Sequence, residues 1–138
     1  MRTESIALVK RFLDLLEARD LDGARALVCG DFEMVFPGNA RFTRFEELIA
    51  WAAPRYGWVR KRHERFDAAP AEDGIAVTCQ GTLYGEDRDG RPFEGVRYMD
   101  WFLIVDGRIA RQRVWNDLAA MRGGAEPLPS SRMPNREL

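Results

Sequence analysis

Ile6, Val9, Leu13 and Leu16 recur at helical spacing, and Leu8, Phe12 and Leu15 widen the stripe. Glu4, Lys10, Arg11, Asp14 and Glu17 take the other side. This pattern predicts a first helix over about residues 3–19, broken by Asp20-Leu21-Asp22-Gly23. Leu21, Ala24, Leu27 and Val28 predict a short second helix. Phe32 to Phe36 reads as a strand closed by Pro37-Gly38. Thr43-Arg44-Phe45-Glu46 fits a capping box, in which each end satisfies a free backbone donor of the other, and it predicts a third helix running towards Tyr56. Pro54 should kink or shorten that helix.

From Gly57 onwards the pattern changes to strands. Val59 to Phe66 is polar, as an edge strand would be, and Ile75 to Tyr84 is rich in β-formers. Asp89-Gly90 and Asp106-Gly107 mark turns on either side of a strand from Phe93 to Val105. Ile109 to Asn116 is the last strand, and Leu118 to Met121 a short turn for which Asp117 is the expected cap. Helices followed by a long antiparallel meander specify an α+β domain, with N-terminal helices packed on a strongly curved, mainly antiparallel sheet. Residues 1–122 make this one domain, and residues 123–138, with two adjacent glycines, three prolines and two adjacent serines, read as a flexible tail.

Composition narrows the function classes. The chain of 138 residues is 46% apolar and 31% charged, ordinary for one globular domain. A net charge of −1 gives no basic field for nucleic acid or an anionic membrane. The run Arg60-Lys61-Arg62 is followed at once by Glu64 and Asp67, which reads as a solvated strand edge. Cys29 and Cys79 lie in apolar contexts and read as buried thiols. With a single histidine and two isolated cysteines there is no metal-ligand cluster, and the scattered glycines form no phosphate loop. No cofactor is expected. No apolar run has the length of a membrane helix, and Asp14 and Glu17 interrupt any leader-like stretch, so the expected compartment is the cytoplasm.

Alternation along the strands sorts the candidate chemistry. Tyr98, Asp100, Phe102 and Ile104 share one face; Met99, Trp101, Leu103 and Val105 share the other. On the last strand Ile109, Arg111, Arg113 and Trp115 form the wetter face, leaving Gln112, Val114 and Asn116 inside. A two-residue turn at Asp106-Gly107 sets Asp100 on the arginine side. A three-residue loop with a bulge at Gly107 sets it beside Gln112 and Asn116. In the second case Asp100 is a carboxyl in an apolar pocket, suited to donate a hydrogen bond or shuttle a proton. In the first it pairs with an arginine such as Arg113 and ties the sheet together.

Four stretches carry a family resemblance: LEARDLDGARALV, FEMVFPG, YMDWFLIVDGRI and RQRVWNDL, spread over residues 5–118. In their order and spacing the chain resembles the nuclear-transport-factor-2-like superfamily, which includes ketosteroid isomerases, polyketide cyclases, scytalone-type dehydratases and limonene-epoxide-type hydrolases. The resemblance implies a cone-shaped domain with a pocket at the open end of its sheet. It also favours the register that turns Asp100 inward, since Asp100 matches the position of the isomerases' hydrogen-bonding aspartate. The isomerases' tyrosine and general-base positions are Phe12 and Phe36 here, and the hydrolases' last-strand aspartate is Val114. Neither of those mechanisms is therefore expected.

The candidate catalytic set is Asp100, Asn116 and His63. Asn116 is read as an oxyanion binder or as the cap of a strand end. His63 is read as an exposed edge residue, or as the general base if it points inward. The candidate pocket residues are Gln112, Val114, Phe102, Tyr56, Tyr84, Phe12 and Phe36. The expected function is a cofactor-free cyclase, dehydratase or isomerase acting on a small apolar, carbonyl-bearing molecule. The alternative is a non-catalytic ligand-binding or dimerisation domain. A homodimer is expected, because the apolar face with Met99, Trp101 and Leu103 needs covering.

Overall fold

The computed structural model describes residues 1–121, so the expected tail at 123–138 lies outside the described residues. Helix α1, Arg2–Glu17, lays Val9, Phe12 and Leu13 into the core from the predicted stripe. Asp20 then caps helix α2, Leu21–Arg25, its Oδ1 accepting the Gly23 N–H at 3.0 Å. Leu27 and Val28, expected in that helix, leave it instead. The Leu27 carbonyl accepts the Ile109 N–H at 2.9 Å, and Val28 opens strand β1, Val28–Phe36, earlier than the pattern suggested.

Strand β2, Ala40–Phe42, was not anticipated; it folds back on β1 across a turn where Gly38 and Asn39 both take positive φ. Helix α3, Phe45–Ala52, starts without the expected capping box. Its N-cap is Arg44, not Thr43, and the Glu46 carboxylate accepts a bond from Arg25 Nη1 at 2.9 Å.

Strands β3 (Trp58–Pro70), β4 (Ile75–Glu86), β5 (Pro92–Val105) and β6 (Arg108–Asn116) form the antiparallel meander, followed by a single turn of helix α4, Leu118–Met121. The six-stranded sheet is ordered β2-β1-β6-β5-β4-β3, with β1 and β6 parallel and the other neighbours antiparallel. The expected polar edge strand is indeed the edge, β3. Phe12 sits at the centre of the core, its ring 5.9 Å from Phe32, 5.9 Å from Phe45 and 6.0 Å from Phe102. Phe12 and Phe102 are both fully buried, and burying such a side chain contributes roughly 1.5–3 kcal/mol.

Two irregularities decide what faces inward. The β5–β6 turn is a two-residue turn, with Asp106 and Gly107 at φ 52° and 77° and Val105 directly opposite Arg108. On its own it would set Asp100 on the arginine side. A bulge follows: Ile104 pairs with Ile109, but Leu103 pairs with Arg111, so Ala110 is the extra residue. The bulge restores the inward row, and Asp100 lies opposite Val114. The loop form expected for that outcome was therefore wrong, while the facing was right. A second bulge places Glu64 as the extra residue on β3, since His63 pairs with Gly81 and Arg65 with Gln80. Inward positions on β3 accordingly switch from Val59, Lys61 and His63 to Phe66 and Ala68.

Candidate functional site

The concave face of the sheet, the end of α1 and α3 enclose a cavity of about 690 Å³. Phe36, Trp51, Tyr56, Leu83 and Val114 supply much of its apolar wall. Lys61, His63, Tyr98, Gln112 and Asn116 bring polar groups to the same space. Apolar walls with a few convergent polar groups are the usual make-up of a small-molecule site.

Lys61 is the group that sequence reasoning missed. Its neighbours Arg60 and Arg62 are exposed as expected, but strand alternation turns Lys61 inward. Its Nζ donates to Asp100 Oδ2 at 2.9 Å, with the lysine side chain 23% exposed and the aspartate 0%. Burial works against the Lys61 charge, but the charge and hydrogen bond of Asp100 outweigh it and raise its pKa above the ordinary lysine value. The amine is therefore an ammonium across the neutral range. The cysteines differ in depth: Cys79 is buried and Cys29 only half-buried.

His63 and Tyr98 form the second polar group. On the inward face, the register sets His63, Gly81, Tyr98 and Asn116 in one row across four strands. Gly81 has no side chain to stand between its neighbours, and His63 Nδ1 hydrogen-bonds the Tyr98 hydroxyl over it. The imidazole also packs on Phe66, with ring centres 5.2 Å apart. Desolvation first, and the nearby Lys61 charge second, lower the His63 pKa below its ordinary 6.5. Burial pushes the Cys79 thiol up to about 12 and raises the Tyr98 phenol as well, and the two side chains hydrogen-bond each other. At neutral pH the cluster thus holds an uncharged imidazole, an intact phenol and an intact thiol.

Of the residues singled out from the sequence, His63, Asn116, Gln112, Val114, Tyr56 and Phe36 line the cavity. Four do not. Asp100 is fully buried behind Lys61 and is a counter-ion rather than part of the wall. Phe12 and Phe102 pack against each other in the core, filling the base of the cone below the cavity. Tyr84 falls on the other parity of β4, where it meets the Trp58 ring at 5.9 Å and lies under Arg62. Asn116 spends its Oδ1 on the Leu118 N–H at 3.1 Å, so it caps the strand end. Asp117, the expected cap, instead accepts from Arg97 Nε at 2.8 Å.

Among the described residues no group of three or more histidine, cysteine, aspartate or glutamate side chains is placed to hold a metal ion. No described helix is long and apolar enough to cross a membrane.

The sequence profile of the SnoaL-like domain family matches residues 9–112. No curated protein matches the chain. Solved structures do. An NTF2-like protein of unknown function from Burkholderia pseudomallei superposes with a TM-score of 0.70 at 17% identity, covering 86% of this chain and 94% of its own. TerC, co-crystallised with polyporic acid, gives 0.71 at 19% identity, covering 85% and 94%. An LEH-like epoxide hydrolase from M. tuberculosis gives 0.66 at 24% identity, covering 89% and 85%.

Proposed function

Because the chain belongs to the SnoaL-like domain family of the NTF2-like superfamily, we propose that its cavity performs cofactor-free acid–base chemistry on a small apolar ketone. One observation carries this reading: an ammonium, Lys61, and an uncharged imidazole, His63, share one cavity wall, each held by a second residue. The task they suit is removal of a proton from the carbon next to a carbonyl. Lys61 stabilises the negative charge that develops on the carbonyl oxygen, and Asp100 keeps Lys61 charged and in place. His63 takes the proton at Nε2. In the tautomer this step uses, Nδ1–H donates to the Tyr98 oxygen and Nε2 keeps its lone pair. Enolisation of this kind is a first step shared by isomerases, dehydratases and cyclases. Asp100, expected from the sequence to carry the proton, becomes a positioning residue in this scheme.

The α-protons of tetralone, a bicyclic ketone of suitable size for the cavity, report this step directly. In heavy water the protein is expected to speed their exchange for deuterium, as read by proton NMR. His63→Gln should slow the catalysed exchange by about 10²–10⁴-fold, the usual contribution of a positioned general base. Equal exchange rates with wild type, variant and buffer, alongside intact tetralone binding, would leave a binding domain without catalysis.

We also propose a second copy of this chain as the cover for the convex sheet face. Trp115 is 57% exposed and Met99 41%, and they lie opposite each other with Trp101 alongside. A dimer-sized mass in solution is expected; a monomeric mass at micromolar concentration would exclude it.

A further inference from the structure

Gln112 is 1% exposed and lines the cavity, yet its Oε1 is buried with no hydrogen-bond partner among the described residues. Its surroundings explain why none is supplied. Its cross-strand neighbours are Phe102 on β5 and Met34 on β1, both fully buried. Along β6 the flanking inward residues are Val114 and Ala110, also buried. A carboxamide is thus set in an apolar bed at the floor of the cavity. Unpartnered buried polar groups are rare because each forfeits its hydration, and where they occur at a site they call for a ligand group.

We infer that Gln112 is a specificity-determining residue that reads a hydroxyl group on the ligand, so that the cavity selects hydroxylated cyclic ketones over their unsubstituted or methylated counterparts. The inference rests on the ketone reading above and extends it. The two ends of the polar set are complementary in kind. Lys61 offers only donors and suits a carbonyl oxygen, whereas the Gln112 amide carries both an acceptor and donors and suits an O–H. A hydroxyl also satisfies the amide if its oxygen and nitrogen exchange places, since it both donates and accepts. A ligand without one leaves the amide buried and unpaired, and sites built to bond a hydroxyl discriminate strongly against the analogue that lacks it.

The test uses parent tetralone, the series of ring-hydroxylated tetralones and their methyl ethers, with affinities measured by calorimetry and by NMR titration. Wild-type protein is expected to bind at least one hydroxytetralone about tenfold or more tightly than both its methyl ether and the parent, the size of effect that one lost buried hydrogen bond produces. In Gln112→Leu the preference should vanish while parent tetralone binds at least as well as before, which also shows that the variant is folded. Gln112→Glu, which keeps an acceptor, should retain a preference for the hydroxylated ligand. Equal affinities in the wild-type protein, or a preference that survives in Gln112→Leu, would overturn the inference. Equal affinities in the wild-type protein overturn the inference even if a variant fails to fold. Hydroxyl preference without His63-dependent exchange would sink the enolisation step and leave this inference standing; exchange without preference would do the reverse. Binding of no tetralone would overturn both.

Discussion

Lys61→Met is expected to destabilise the fold by about 3–5 kcal/mol, the cost of stranding one member of a buried ion pair. Asp100 is then a carboxylate at 0% exposure without its cation, and its Oδ1 already lacks a partner. Asp100→Leu should cost less. The Lys61 side chain is 23% exposed and opens onto the cavity, so its head group can move towards water. In the double variant Lys61→Met/Asp100→Leu most of the loss should return, because neither charge is left behind and both replacements are apolar and similar in size. Denaturant melts of the four proteins close the cycle. A double variant as unstable as the sum of the singles would mean that the two residues act independently, and the pair would lose its place in the account.

Gly81→Val should be the next largest effect, a loss of about 2–3 kcal/mol, at the upper end of what overpacking costs. A Cβ on Gly81 would overlap the Arg62 carbonyl oxygen and press on the Glu64 backbone nitrogen, which are backbone atoms of the bulge and cannot swing aside. The strand pairing must give way there, and His63, which lies between Arg62 and Glu64 opposite Gly81, would be displaced with it. Stability should therefore fall together with loss of the His63–Tyr98 bond. A thermal melt beside the imidazole NMR spectrum reads both; an unchanged melting temperature would contradict the tight packing at this position.

The fold was legible in the sequence because its signals are redundant. The stripe from Ile6 to Leu16, the Asp-Gly turns and the alternating strands each point the same way, and a match over residues 9–112 agrees with them. The site was legible only in part. Facing depends on register, and one bulged residue inverts it. The bulge at Ala110 carries no glycine or proline to announce it, so the turn at Asp106-Gly107 left both sides open for Asp100, and family likeness favoured the inward one. Lys61 was hidden by its neighbours: three basic residues in a row look like a solvated edge, although alternation from Val59 would have turned Lys61 to the cavity face, where His63 also lies while remaining exposed as expected. Gly81 gave no sign at all, because its role comes from being opposite both His63 and Tyr98, which the chain order does not reveal. Phe12 was placed in the pocket at the isomerases' tyrosine position, Phe102 because it shares a strand face with Asp100, and Tyr84 for its phenol, and none of these signals tells a cavity wall from a core.

The central claim is that His63 works as an uncharged base in the field of Lys61. His63 is the only histidine in the chain, so its imidazole resonance can be followed by NMR across the pH range without assignment ambiguity. In wild-type protein its midpoint should lie below 6.5, and tetralone exchange should be level above that pH and fall as His63 gains its proton. Stability should weaken in the same direction, falling as pH drops below 6.5, because the unfolded chain takes up that proton first. Lys61→Met should move the midpoint upward, since it removes a repelling charge and leaves Asp100 to attract the proton. A wild-type midpoint at or above 6.5, or one that Lys61→Met does not raise, would place His63 outside the influence of Lys61 and contradict the account.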